Sequence, residues 1–309
     1  MKKNILFIIL FFLIAPFTYA QDGTSDTTAV VVEKDKPVKS PFESGYLIDA
    51  QTTVIQPAHT LEAIIQHKFG TIQNGHSDLW GIYAPGANIR LGLNYVFLKN
   101  FQVGAGIVKK NMASDLDVKW TLMQQTRKNT YPVAITIFGN VAVDGRNIKE
   151  FESGNVQVAH ELGQVNLFKW PDRLSYFSEL IVSRKFSEKL TLQTAISFTH
   201  YNVVGLVYDH DNVALHLSGR FKVSPQGSLI FNYDFPLKIK DISEQWTFTN
   251  PSKQNLSFGY EVATSAHSFQ IYMGTYSGIL PQDNTMWNQN DLTKQQFVMG
   301  FVITRLWGF

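Results

Sequence analysis

The sequence of 309 residues contains no cysteine. That absence excludes a lipoprotein anchor, a disulfide framework and any thiolate metal site. Charge is also scarce, at 17% of residues. The formal balance is only +2, and Lys2 and Lys3 at the very start account for it; the rest of the chain holds as many basic as acidic residues. With no basic excess to neutralise phosphates, nucleic acid is not an expected partner. Beyond the first twenty residues there is no long hydrophobic run. A bundle of membrane helices, which needs several runs of about 20 apolar residues, is thereby excluded. A membrane barrel is not, because alternating strands average to neutral hydropathy.

Aromatic residues, by contrast, are abundant: 23 Phe, 12 Tyr and 6 Trp. One soluble core struggles to hide that many rings. A barrel turns them outward to lipid and headgroups.

Residues 1–20 read as a secretory signal. Lys2 and Lys3 give the charged start, Ile5 to Phe17 the apolar run, and Thr18-Tyr19-Ala20 a small-x-small cleavage site. Gln21 to about Lys39 is rich in Thr, Asp and Lys, followed by Pro41. Such a stretch buries too little apolar surface to order itself, so residues 21–58 are assigned to a flexible periplasmic segment. Within it, 42–57 is more mixed, with Tyr46, Leu47 and Ile48, and either packs at a barrel mouth or enters the lumen.

From residue 59 to 309 the dominant signal is period-two alternation. In 189–200, Leu190, Leu192, Ile196 and Phe198 share one face, while Thr191, Gln193, Ser197 and Thr199 share the other. A helix needs apolar residues at i, i+3, i+4 and i+7, which these segments lack. Twelve strands are predicted, at about 60–69, 88–97, 101–109, 114–124, 131–143, 173–187, 189–200, 211–222, 227–237, 254–263, 266–275 and 295–309. Connections after even-numbered strands are short, and most after odd-numbered strands are long; the one after the third strand is the exception. That sorting belongs to an antiparallel up-and-down transmembrane barrel with both termini at the periplasmic side. The expected fold class is therefore all-β, an outer-membrane barrel of a Gram-negative envelope, monomeric by default.

The last strand is the most specific feature. Phe297, Met299, Phe301, Ile303, Trp307 and Phe309 share a face, interrupted only by Arg305. Phe301, Trp307 and the terminal Phe309 resemble the signal read by the barrel insertion machinery, an expected partner together with outer-membrane lipid. The stretches HKFG (67–70), DLWG (78–81), ANIRLGLNY (87–95), FQVGAG (101–106), SRKFSEKLTLQ (183–193) and GFVITR (300–305) resemble a β-barrel family of Bacteroidota known by a domain-of-unknown-function label. The resemblance covers about residue 45 to the C-terminus. It implies an outer-membrane barrel and no established activity.

On the inward face, alternation places Glu62, Arg90, Asp117, Lys119, Glu179, Arg220, Asp234 and Glu261 as lumen residues. With Lys68, Asp115, Lys185 and Lys222 the wall balances acids against bases, which argues against a strong ion preference. Two expectations follow for the interior: a closed or nearly closed barrel packed with polar side chains, or a narrow passive channel for small solutes. The closed barrel acts by binding a partner, extracellular or periplasmic, through long loops such as 144–172, which carries Phe151, Phe168 and Trp170. A remote alternative is a lipase-type enzyme built on Ser178 and His200, with no acid or amide apparent to orient the histidine. Asp209-His210-Asp211 is a weak cation motif, and no catalytic residue, metal site or cofactor is assigned. Gly104-Ala105-Gly106 lies within a strand, where its glycines admit close approach rather than a nucleotide.

Overall fold

In a computed structural model, residues 35–154, 168–205, 208–240, 242–243 and 250–309 are described. The expected leader and cleavage site at Ala20 lie outside the described residues. The first ordered pairing is a two-rung hairpin, β1 (Tyr46–Leu47) with β2 (Ala50–Gln51). The barrel strands follow: β3 (Thr60–Thr71), β4 (Asn88–Leu98), β5 (Phe101–Val108), β6 (Ser114–Met123), β7 (Ala134–Val143) and β8 (Leu174–Lys185). The circuit continues with β9 (Leu190–Tyr201), β10 (Asp211–Lys222), β11 (Gly227–Leu237), β12 (Asn255–Ala263), β13 (His267–Gly274) and β14 (Val298–Gly308). Each strand pairs antiparallel with the next, and β14 pairs with β3 to close a twelve-stranded barrel.

Strand pairing around a closed circuit leaves no unpaired sheet edge, which is why a closed sheet survives in hydrocarbon where an open one does not. The side-chain pattern is inverted relative to a soluble protein. In β4, Arg90 and Asn94 are buried inside, whereas Leu91 and Leu93 are 45% and 55% exposed on the outside. Phe97, Tyr131, Phe186, Phe221, Trp307 and Phe309 remain exposed at or near the short-turn end, forming an aromatic girdle. Arg305, the one charge on the outer face of β14, stacks on the Trp307 ring at 4.9 Å and so reaches the interface.

Two strands start later than alternation predicts. Residues 131–133 stay outside β7, where Pro132 has no N–H to give to the ladder. Residues 295–297 are excluded from β14 because Gln295, at φ 56, ends a short 3₁₀ turn, Leu292–Lys294.

The larger departure concerns the segment assigned to flexible chain. Residues 35–58 are ordered, and residues 42–53 run through the barrel interior. Phe42, Tyr46, Leu47 and Ile48 bury against Ile64, Ile230, Tyr272 and Val302 of the wall. Burial of each such side chain contributes about 1.5–3 kcal/mol, enough to offset ordering of a short hairpin. Composition averaged over 21–58 concealed this, because the large apolar residues that bury, Phe42, Tyr46, Leu47 and Ile48, are clustered within a segment otherwise rich in Thr, Asp and Lys. From the opposite end a short helix, Pro281–Met286, folds inward from the β13–β14 connection, with Gln282, Asp283, Asn284, Thr285 and Met286 all buried.

Candidate functional site

The interior polar residues owe their place to the same alternation that sends leucines outward. All eight lumen candidates are buried: Glu62, Arg90, Asp117, Lys119, Glu179, Arg220, Asp234 and Glu261. They fall into separate groups. Arg90 makes a bidentate pair with Asp115, at 2.9 and 2.6 Å, and reaches Asp117 at 3.4 Å. Glu62 accepts from Asn94 at 3.1 Å. Glu261 accepts from Ser268 and Gln270, both at 2.9 Å, and lies 3.6 Å from Arg220. Asp234 accepts from Asn255 at 2.7 Å and lies 2.7 Å from His216 Nδ1, whose other nitrogen meets Ser197 Oγ. Glu179 has no salt bridge among the described residues.

Several wall groups bond not to each other but to the inserted hairpin. Lys119 donates to the carbonyls of Gly45 and Val54. Gln270 accepts from Ile48 N at 2.7 Å and donates to Tyr46 O at 2.9 Å. Gln193 donates to Gln51 O, and Thr121 to Thr53 O. Arg220 donates to the carbonyls of Ser40 and Pro41 and pairs with Glu43. Lys68 pairs with Asp49 at 2.6 Å and also donates to Tyr276 O, beyond the end of β13. Thus β3, β6, β9, β10 and β13 all hold one hairpin, whose backbone polar groups must find partners once buried.

The hairpin tip is strained. Ile48 sits at φ 59, a region where a β-branched residue is a true outlier and costs about 1–3 kcal/mol. The two-residue turn Ile48-Asp49 demands such a conformation at its first position. Full burial of Ile48 and its bond to Gln270 hold it there.

Above the tip, the inward helix is equally fastened. Gln282 donates to Asn140, Asn212 donates to Thr285 O, and Thr285 Oγ1 lies 2.6 Å from Thr199 Oγ1. Between tip and helix remains a cavity of only about 20 Å³, bordered by Asp49, Gln51, Glu179, Asn232, Asp234 and Asn284. That volume holds roughly one water.

The expected balance of charge on the wall needs correction. Lys185 lies at the short-turn rim, bonded to Lys39 O and Glu188, and Lys222 is only half-buried. The fully buried cations are Lys68, Arg90, Lys119 and Arg220, outnumbered by the buried carboxylates of wall and hairpin.

At the long-loop end, above the inward helix, a pocket of about 230 Å³ is bordered by Lys110, Arg146, Arg173, Tyr201, Tyr208 and Trp287, among others. Trp287 meets Tyr201 and Tyr208 edge-on at 4.9 and 4.7 Å. Asp283 accepts from Tyr201 at 2.8 Å and pairs with Lys110 at 3.3 Å.

The histidine considered for lipase chemistry does have partners that sequence reading missed. His200 Nδ1 lies 2.7 Å from Asp211 and Nε2 lies 3.1 Å from Asn202 Oδ1. Asp211 is its directly opposite residue in the β9–β10 register, a pairing the loop length concealed. Ser178 pairs with Phe198 and makes no bond to this ring. The Asp209-His210-Asp211 run does not converge, since His210 Nδ1 meets Tyr201 O. Among the described residues no group of three or more His, Asp or Glu side chains forms a metal cluster. Phe301 and Trp307 lie on the outer face of β14, and Phe309 is exposed beyond its end.

A closed, twelve-stranded antiparallel sheet with lipid-compatible outside and polar inside defines an outer-membrane β-barrel. The chain belongs to the family DUF5777, described as a membrane bound beta barrel domain, whose model matches residues 42–307. No curated protein matches the sequence. Among solved structures, the COG4313 outer membrane channel from Pseudomonas putida F1 is similar over 82% of this chain and 97% of its own, at 11% identity and TM-score 0.50. The NanC porin aligns over 81% of this chain and 99% of its own, with 6% identity and TM-score 0.45. The KdgM porin aligns over the same shares with 8% identity and TM-score 0.43.

Proposed function

We propose that this barrel is a passage for small solutes, shut at rest by its own N-terminal hairpin and opened when the hairpin withdraws. One observation carries the reading. Both ends of the hairpin leave by the same rim: Pro37 bridges Thr126 in the turn after β6, and His59 directly precedes β3. The segment enters and returns without crossing the barrel, so it can leave as a loop with no chain threaded through the wall. Most bonds that hold it are side chain to carbonyl, and water replaces these readily on exit. With the tip gone, the inward helix at the long-loop end is the second constriction.

The test uses the absence of cysteine. Thr53 Oγ1 and Ser183 Oγ are in direct contact, so Thr53→Cys with Ser183→Cys places two sulfurs within bonding reach. In planar bilayers the oxidised variant is expected to be silent, and the reduced one to show discrete steps. Deleting residues 35–58 is expected to lengthen open time. A folded deletion variant that stays silent rejects the passage.

A second reading, a closed barrel that binds through its long loops, draws on the pocket bordered by Trp287, Tyr208 and Arg173. Aromatic rings beside guanidinium groups suit a polar organic ligand. Neither reading includes a catalytic step: Nε2 of His200 faces an amide oxygen rather than a serine.

A further inference from the structure

The small cavity between the hairpin tip and the inward helix is bordered by four residues that each carry a buried oxygen without a partner. Asp49 Oδ1, Gln51 Oε1, Asn232 Oδ1 and Asn284 Oδ1 are each buried without a hydrogen bond. All four residues border the cavity, and each is more than nine-tenths buried. They come from three sources: the hairpin, β11 and the inward helix. Glu179, on the same cavity, has no salt bridge among the described residues, and Asp234 is adjacent.

Every one of these orphan atoms is an acceptor. Leaving a buried acceptor unpaired costs about 1–3 kcal/mol. A water in a cavity of about 20 Å³ offers two hydrogens, too few for four oxygens and a carboxylate. A cation in the cavity would give these acceptors a positive partner that a single water cannot supply. The wider interior asks for the same thing, since buried carboxylates outnumber Lys68, Arg90, Lys119 and Arg220. The unpaired acceptors are carboxylate and amide oxygens, hard ligands that suit alkali or alkaline-earth ions rather than transition metals; both nitrogens of His216, on the same cavity, are taken up by Asp234 and Ser197. Asp49 is already paired with Lys68, and Asp234 takes hydrogen bonds from Asn232 and Asn255. His216, which also borders the cavity, lies 2.7 Å from Asp234, so Glu179 is the carboxylate there with no salt bridge among the described residues, and it matches a single positive charge.

We infer that this cavity is a monovalent cation site of the sodium or potassium type, joining the hairpin tip to the wall and to the inward helix. The site stands on its own geometry. That it secures the closed state rests on the gated reading above.

The experiment is thermal unfolding of the purified full chain in detergent micelles. Chlorides of sodium, potassium and choline are compared at equal ionic strength. Sodium or potassium is expected to raise Tm saturably, by about 5 °C at a hundred times Kd. Asn284→Ala and, separately, Gln51→Ala are expected to abolish that rise while keeping the barrel; Glu188→Gln, in a turn at the other end, keeps it. Crystals soaked in thallium(I) are expected to show an anomalous peak among Asp49, Asn232 and Asn284. Equal Tm in all three salts means water or a protonated Glu179 fills the space, and overturns the site. A salt effect that survives both substitutions also overturns it. If the salt effect holds but the cysteine lock leaves conductance unchanged, the site stands and the gate falls.

Discussion

Lys68, on the first barrel strand, and Asp49, at the tip of the inserted hairpin, form an ion pair at 2.6 Å with side chains 1% and 2% exposed. A pair so fully desolvated adds little stability as a unit, but losing one partner strands a bare charge in the interior. Lys68→Met is therefore expected to destabilise by about 3–5 kcal/mol. The double variant Lys68→Met with Asp49→Leu is expected to recover most of that loss. Unfolding midpoints of the four proteins in a double-mutant cycle measure it; additive losses would show that the pair is not coupled.

Gly106 lies opposite Gly92, on the inner face beside Arg90. A Cβ at Gly106 would sit 2.6 Å from Arg90 Nε and 2.7 Å from its terminal nitrogen. Gly106→Ala is expected to push the guanidinium off Asp115 and destabilise the barrel by about 1–3 kcal/mol. A stability within error of the parent would mean that the guanidinium moves aside freely.

Asp35 fastens the lead-in to the turn after β6, accepting from the backbone of Lys128 at 3.0 Å and of Thr130 at 3.4 Å. Desolvation pushes its carboxyl up, and the hydrogen bonds from Thr126, Lys128 and Thr130 more than reverse this, bringing it from 3.8 to about 2. A depressed folded value means that the contact is fully present above 3.8 and is lost as pH falls through about 2. Pepsin is expected to cut near residue 35 at pH 2 but not at pH 4. Asp35→Asn is expected to be cut equally at both; protection of that variant at pH 4 would rule out the carboxylate as the tether.

Phe309 is 84% exposed beyond the end of β14, and its N–H donates to His59 O at the closure seam. Deleting it removes that bond and one ring of the girdle. Export is expected to continue while outer-membrane insertion drops, read as loss of the heat-modifiable band. A normal band would detach Phe309 from insertion.

The wall was legible because each strand declares its faces locally: Leu190, Leu192, Ile196 and Phe198 against Thr191, Gln193, Ser197 and Thr199 needs no distant information. Entry of 42–57 into the lumen was one of two expectations for that segment, but the hairpin and its contacts were not legible, because its partners are remote. Ile48 bonds to Gln270, and Arg220 to Pro41. A signal did exist. Ile64, Ile230 and Val302 stand on the inward face among polar neighbours, and apolar side chains there need something to cover them. The helix Pro281–Met286 carried no such mark, since six residues give no period. The orienting partner of His200 escaped for a different reason: Asp211 becomes its neighbour only once the β9–β10 register is known.

The hairpin is joined to β3 through residues 52–59 alone, and its tether ends within the same barrel it closes. On the gated reading proposed above, closure is an intramolecular equilibrium, in which a short tether holds the tip at an effective concentration on the order of millimolar. A barrel that loses the segment is not expected to be resealed by the free peptide at micromolar levels. Any agent that opens the intact protein must overcome local concentration as well as the contacts themselves, so a steady pull on the preceding chain would act where a competing ligand would fail.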